Sequence, residues 1–305
     1  MPVLVLIFFN LVDFMRTGPL TVVFALIAAA ACGSSPSGPS HSSTGDGGTG
    51  GTGGTGGQVD TAGVGDGTTT ATTGFVDKTL VEGGVTYGYK VFVPANYNTA
   101  AAVPVLLALH SSGDRGSDNL VQTQTGVGRV IRDAPTTFPA IVVFPQAPAG
   151  DVNQSHDVMV AIGKLALNLT LAAYKKSDLA RVYLTGHSFG GIAAFDIAYF
   201  NPTKFAAFLP IAANICVACI TGSGATTNAQ ASALVAAKLK ALPIWQFQGE
   251  LDTNVPTVQV RQIRDAFVAV NANYTYTELP GFGHSIWDGI YAGPDVWTWL
   301  WAQHR

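Results

Sequence analysis

The run Arg181-Val182-Tyr183-Leu184-Thr185 is followed at once by Gly186-His187-Ser188-Phe189-Gly190-Gly191, and then by the apolar stretch Ile192–Tyr199. The first run predicts a strand and the last a helix, with no linker between them. A bend that tight needs glycines where backbones approach closely. The G-x-S-x-G pattern in a strand–turn–helix setting places the serine on a strained turn, with its oxygen thrust out past the end of the strand. Few folds accept such a unit. It belongs in a layered α/β domain, and it singles out Ser188.

The remaining pattern agrees with that architecture. Strands are expected at Tyr87–Val93, Val103–Leu109, Ala140–Phe144, Phe205–Ile211, Ile244–Gln248 and Tyr274–Leu279. Several are nearly unbroken Val/Ile/Leu/Phe runs, as in strands buried on both faces of a parallel sheet. Helices are expected at Ser155–Tyr174, Ala229–Leu239, Thr257–Val270 and Pro294–Gln303. Alternating elements predict a mostly parallel central sheet with helices on both faces. Ligands in such folds sit at the carboxyl ends of the strands.

Residues 75–305 are expected to form this one domain. They hold 15 Lys+Arg (16 less Arg16) and 15 Asp+Glu (19 less Asp13, Asp46, Asp60 and Asp66). A domain with no basic excess lacks the electrostatic footprint of a nucleic-acid binder. Residues 1–31 read as a signal peptide, with Met15 the alternative start, Met15-Arg16 a positive n-region and Leu20–Ala31 an apolar h-region. Ala29-Ala30-Ala31-Cys32-Gly33 resembles a bacterial lipobox, so Cys32 is the expected lipidation site. Simple secretion is the alternative to a cell-envelope lipoprotein, and the membrane is expected to be met only through that anchor. The rest of segment 32–74 is rich in Gly, Ser, Thr and Pro, with a Thr-Gly-Gly triplet repeat, and has nothing to bury. It is expected to be a disordered tether.

A serine hydroxyl needs a base, and histidine is the usual one. His41 lies in the tether, His187 inside the turn, and His304 at the chain end, while His110 and His156 precede the serine. His284 follows the last expected strand, as the chain order Ser…acid…His requires. The imidazole needs a carboxylate to hold one tautomer. Asp252 in the turn after Ile244–Gln248 is the candidate, with Glu250 as the alternative. The oxyanion that forms on attack needs backbone N–H donors. Phe189 should supply one. Ser112, or less favourably Ser111, should supply the other from the loop after Val103–Leu109.

The chain resembles the α/β-hydrolases, in particular carboxylesterase/phospholipase-type and predicted-peptidase esterases, and through them feruloyl esterases and polyhydroxybutyrate depolymerases. The resemblance spans about residues 85–303. It rests on Leu106–Gly116 with Asp118, Asn119 and Gln122, on Phe138–Pro148 ending Pro145-Gln146-Ala147-Pro148, on the serine turn, on Leu242–Pro256 and on Gly281–Asp288. It implies a serine carboxylic-ester hydrolase acting through an acyl-enzyme, with no cofactor and no metal. The expected substrates are short-chain acyl, feruloyl, acetyl or polyester-type esters, small or polymeric. A prolyl-oligopeptidase-type peptidase is the runner-up, since no propeller or gating domain is evident. A non-catalytic hydrolase-fold binding protein is the rival from another class.

Three positions depart from the family pattern. Ser111 stands where glycine is usual after the loop histidine, Gln248 where histidine is common, and Ala147 where cysteine is frequent. A serine forced to positive φ at 111 would distort the oxyanion loop. Trp287 is the leading pocket residue, with Ser111 beside the site and Phe189, Phe282 and Trp245 as further aromatics that could line it. Cys216 and Cys219 form an even pair once Cys32 is lipidated, which suggests a local disulfide near the cleft rim. Two cysteines alone make no zinc site. No long insertion follows Phe205–Ile211, which argues against a large lid and a long-chain lipase.

Overall fold

The computed structural model describes residues 70–220 and 223–305. The expected signal peptide, Met15, Cys32 and nearly all of the tether lie outside the described residues. Described chain begins at Thr70, where the Ala71 N–H donates to the Asn98 side chain at 2.9 Å. The first strand, β1 (Gly74–Glu82), turns at Gly83-Gly84 into β2 (Val85–Val93). The other strands are β3 (Val103–Leu109), β4 (Ile141–Pro145), β5 (Ser177–His187), β6 (Ala207–Ile211), β7 (Ile244–Gly249) and β8 (Tyr274–Leu279).

These eight strands form one sheet in the order β1-β2-β4-β3-β5-β6-β7-β8. β1, β2 and β4 pair antiparallel; every pairing from β4 through β8 is parallel. Helices α1 (Gly126–Asp133), α2 (Val152–Ala173), α3 (Phe189–Phe200), α4 (Asn228–Leu239), α5 (Thr257–Ala269), α6 (Trp287–Ala292) and α7 (Pro294–Trp301) cover it. The alternation of strand side chains splits the core in two. Val105, Leu107 and Leu109 pack into one cluster with Met159 of α2, Ala194 of α3 and Val235 of α4. Leu106 and Ala108 enter the other, with Ile131 of α1, Tyr291 of α6 and Leu300 of α7. The sheet is thus buried on both sides, as the unbroken apolar runs require. This is the α/β sandwich expected from the sequence.

The differences are local. α2 starts at Val152 rather than Ser155, because the Asp151 side chain accepts from the Asn153 and Gln154 N–H groups and caps the helix. β1, α1 and α6 were not foreseen. β1 is a partly exposed edge strand, and α6 is six residues long with a glycine inside it. Neither carries a clear apolar period.

The strand order reverses direction at β3, whose neighbours are β4 on one side and β5 on the other. Leu109 at the end of β3 pairs with Gly186 in β5. The loop after β3 and the serine turn after β5 therefore lie side by side at the carboxyl edge, where such sheets bind ligands.

Candidate active site

Ser188 caps the N-terminus of α3 with φ 52° and ψ −124°. A non-glycine residue there is strained, and strain of this kind gathers at functional sites. What holds it is the packing around Gly190. A Cβ on Gly190 would sit 2.4 Å from the Leu109 carbonyl oxygen and 2.5 Å from that of His110. The start of α3 can press against the end of β3 only because no side chain intervenes. The Ser188 N–H donates to Ile211 O at 3.0 Å, which ties the turn to β6 as well.

From this turn the Ser188 Oγ lies 2.9 Å from Nε2 of His284, and His284 Nδ1 lies 2.7 Å from Oδ2 of Asp252. Three loops, after β5, β7 and β8, bring the three groups into one line. Asp252 is buried, and its Oδ1 accepts from the Asn254 and Val255 N–H groups at 2.9 Å each. The Gln248 amide donates to Oδ2 at 3.1 Å. The departure at Gln248 therefore supplies a donor that steadies the carboxylate. With Asp252 accepting at Nδ1, the Nδ1–H tautomer leaves Nε2 free to accept the serine proton. Glu250, the alternative acid, faces elsewhere: its carboxylate accepts from the Gly281 N–H at 2.8 Å.

Phe189 is the first residue of α3, so its N–H has no acceptor within the helix. In the loop after β3, the Ser111 N–H donates to Oδ2 of Asp114 at 3.2 Å, and the Ser111 hydroxyl donates to the same oxygen at 2.8 Å. Ser111 is thus committed to its own turn. Among the described residues the Ser112 N–H has no such acceptor. Ser111 has φ −72° and ψ 169°, ordinary extended backbone, so serine in place of glycine introduces no strain. Ser111→Gly is accordingly expected to gain no activity and to lose about 1 kcal/mol from the lost hydroxyl bond to buried Asp114. Parallel ester-hydrolysis rates and urea midpoints would check this. A several-fold rise in kcat would restore the idea of a distorted loop.

The rest of the motif residues build the support. His110 Nδ1 donates to Ser111 O at 2.6 Å, and its Nε2 accepts from the Ala147 N–H at 3.0 Å. Burial lowers its pKa to about 4, against a smaller opposing effect of the Ser111 bond, so the ring stays neutral. Gln146 accepts from the Asn119 N–H at 2.7 Å and donates to Asp118 at 2.8 Å. Pro145–Pro148 and Asp118-Asn119 thus brace the loop instead of facing the serine.

His187 points away from Ser188 into the core. Its ring stacks on Trp287 at 4.8 Å, and Trp287 meets His284 edge-on at 5.4 Å. Burial pushes the His187 pKa down to about 3, helped by His110 and His284 nearby. Trp287 therefore packs against both the His187 and the His284 rings.

A cavity of about 600 Å³ opens beside the serine turn. Its walls include Phe189 and Ile192 of α3, Val152 and His156 of α2, and the segment from Asn214 to Cys219. Trp287 and Ser111 do not line it; Phe189 does. Trp245 packs on Phe247 and Trp299, and Phe282 is largely exposed. Cys216 and Cys219 are joined by a disulfide that forms part of the cavity wall. Of its lining, sequence reasoning singled out only Phe189 and the two cysteines, because the walls come from five separate segments that only the fold brings together.

Comparison with known proteins fits this geometry. A solved thermostable esterase aligns at 26% identity with TM-score 0.62, over 76% of this chain and 63% of its own length. The chain thus spans less than two thirds of that protein. A ferulic acid esterase aligns at 18% identity (TM-score 0.54, 74% of this chain and 95% of that one). An S-formylglutathione hydrolase from Agrobacterium tumefaciens aligns at 14% (TM-score 0.55, 74% and 93%). At those identities the last two show the shared fold. No curated protein sequence matches the chain. The model of the family described as "Putative esterase" matches residues 84–304, nearly the whole described domain, and the chain belongs to that esterase family.

Proposed function

We propose that the chain is a serine carboxylic-ester hydrolase. The observation that carries this reading is the unbroken line from Ser188 Oγ through the His284 ring to buried Asp252. Ser188 attacks the ester carbonyl while His284 Nε2 takes its proton, and Asp252 stabilises the imidazolium. The N–H groups of Phe189 and Ser112 hold the developing oxyanion. His284 then gives the proton to the leaving alcohol. Water enters, is deprotonated by the same imidazole, and releases the acid from the acyl-enzyme.

The cavity beside Phe189 receives one side of the ester. Apolar Val152, Ile192 and Ile215 share its lining with Asn153, Asn214 and Gln259. At about 600 Å³ it falls within the range of small-molecule sites. It suits a short acyl chain or one substituted aromatic ring better than a long fatty chain. Family membership and the likeness to the thermostable esterase support ester chemistry over peptide hydrolysis.

The test is hydrolysis of p-nitrophenyl acetate, butyrate and octanoate by the full chain. The expected result is turnover of the first two with kcat/KM at least about tenfold above the octanoate value, a difference of about 1.4 kcal/mol in transition-state binding. Rates indistinguishable from buffer on all three esters and on a feruloyl ester would sink the reading.

A further inference from the structure

His156 and Cys219 of the cavity wall belong to a group of side chains that ester hydrolysis does not use. His156 of α2, Asp196 of α3 and Cys219 each offer one ligand-type atom, and these lie within 4.8 Å of one another. Cys219 Sγ is 3.5 Å from His156 Nδ1, and Asp196 Oδ2 is 3.2 Å from His156 Nε2. Asp196 is 2% exposed and His156 6%. Both Asp196 oxygens and His156 Nε2 lack a well-formed hydrogen bond. Buried carboxylates without partners are costly. Burial raises the Asp196 carboxyl above its usual range, only partly offset by His156. A buried acid and a buried imidazole with unmet bonding capacity, next to a sulfur that reduction would free, are what a cation site supplies.

We propose that reduction of the Cys216–Cys219 disulfide opens a tetrahedral site for a divalent cation of the zinc type, with Cys219, His156, Asp196 and Cys216 as ligands. Three of the ligands are already gathered. Cys216, with its Cα 5.2 Å from that of Cys219, brings the fourth by the C-x-x-C spacing of many zinc sites. Sulfur and nitrogen donors with one carboxylate select zinc over calcium or magnesium. In the oxidised chain both sulfurs are spent on each other, so the site is redox-gated. Either form joins the Cys216–Cys219 segment to itself, but only the metal form also ties it to α2 and α3. The inference goes beyond ester hydrolysis and stands apart from Ser188.

A phosphine reductant gives two electrons to the disulfide and becomes a phosphine oxide, with its oxygen taken from water; the two protons of that water end on the cysteine sulfurs. The cation then displaces both thiol protons to buffer.

The experiment titrates Co²⁺, as a spectroscopic stand-in, into the full chain carrying Cys32→Ser, with and without prior phosphine reduction. The reduced protein is expected to bind one equivalent, with thiolate charge-transfer absorption and the intense visible bands of a tetrahedral ion. Zinc should displace Co²⁺ and shield Cys216 and Cys219 from iodoacetamide, as read by peptide mass spectrometry. Asp196→Asn and His156→Gln should each weaken binding by at least the roughly 10–100-fold that loss of an outer-shell partner costs. No bands and no shielding in the reduced protein would overturn the site, and so would equal binding by the oxidised protein. Both readouts use the Cys32→Ser chain before any further variant, so a substitution that fails to fold leaves the test intact. Repeating them on Ser188→Ala should change nothing, which separates this site from the hydrolytic reading.

Discussion

Replacing Ser188 with alanine is expected to lower kcat for ester hydrolysis by about 10⁴–10⁶-fold while the fold survives. The Oγ points out of the turn, and its described hydrogen bond is the one to His284. The strained backbone at 188 is set by Gly190 against β3 and by the Ser188 N–H bond to Ile211, neither of which needs the hydroxyl. Circular dichroism and the thermal midpoint should therefore match the wild type. His284→Ala should cost about as much, and the double variant little more than either single one, because the two groups act as a unit. Asp252→Asn should cost about 10⁴-fold by favouring the wrong His284 tautomer. A residual Ser188→Ala rate within tenfold of wild type would defeat the assigned nucleophile.

The serine turn could be read from sequence because its requirement is local. A strand, a tight bend and a helix in nineteen consecutive residues leave one solution, and Gly190 reports the close approach that the turn demands. Asp252 and His284 were legible for a different reason: each follows a strand of a recognisable parallel sheet, and the fold fixes which loop must supply which group. The support residues were partly legible. Asp118, Asn119 and Gln146 stood out as family motif residues, but their bracing role depends on bonds between segments 27 and 28 residues apart. Trp287 was placed near His284 by spacing alone. Which face of the imidazole it meets depends on α6, which has no period to announce it. The cavity and the His156–Asp196–Cys219 group were beyond reach, because α2, α3 and the loop after β6 converge only through tertiary packing. Ser111 shows the reverse case, where family pattern suggested a strain that its extended φ removes.

The second large effect expected is loss of stability in mild acid, and two histidines outside the hydrolytic line carry it. His187 and His110 titrate at about 3 and about 4 in the folded chain, both chiefly because burial disfavours the charged ring. Unfolded, each takes a proton near the ordinary imidazole value of about 6.5. Between those limits the unfolded chain binds more protons than the folded one, so stability falls as pH falls. Above about pH 7.5 neither histidine contributes a slope. Through the window from about 6 to 4.5 the two together should remove on the order of 2 kcal/mol per pH unit. His156 acts in the opposite sense. Burial lowers its pKa, but the Asp196 and Asp157 carboxylates outweigh that and raise it. Its stabilisation is complete below the unfolded value and is lost only as pH rises, whereas Asp196, whose carboxyl pKa burial raises, offsets part of the acid loss. Urea midpoints at pH 7, 5.5 and 4.5 would measure the effect. His110→Gln, which keeps a donor and an acceptor for Ser111 O and the Ala147 N–H, should roughly halve the slope. A wild-type midpoint that stays level from pH 7 to 4.5 would show that these rings charge without cost, and that the neutral stack of His187 on Trp287 is not what holds this edge of the sheet.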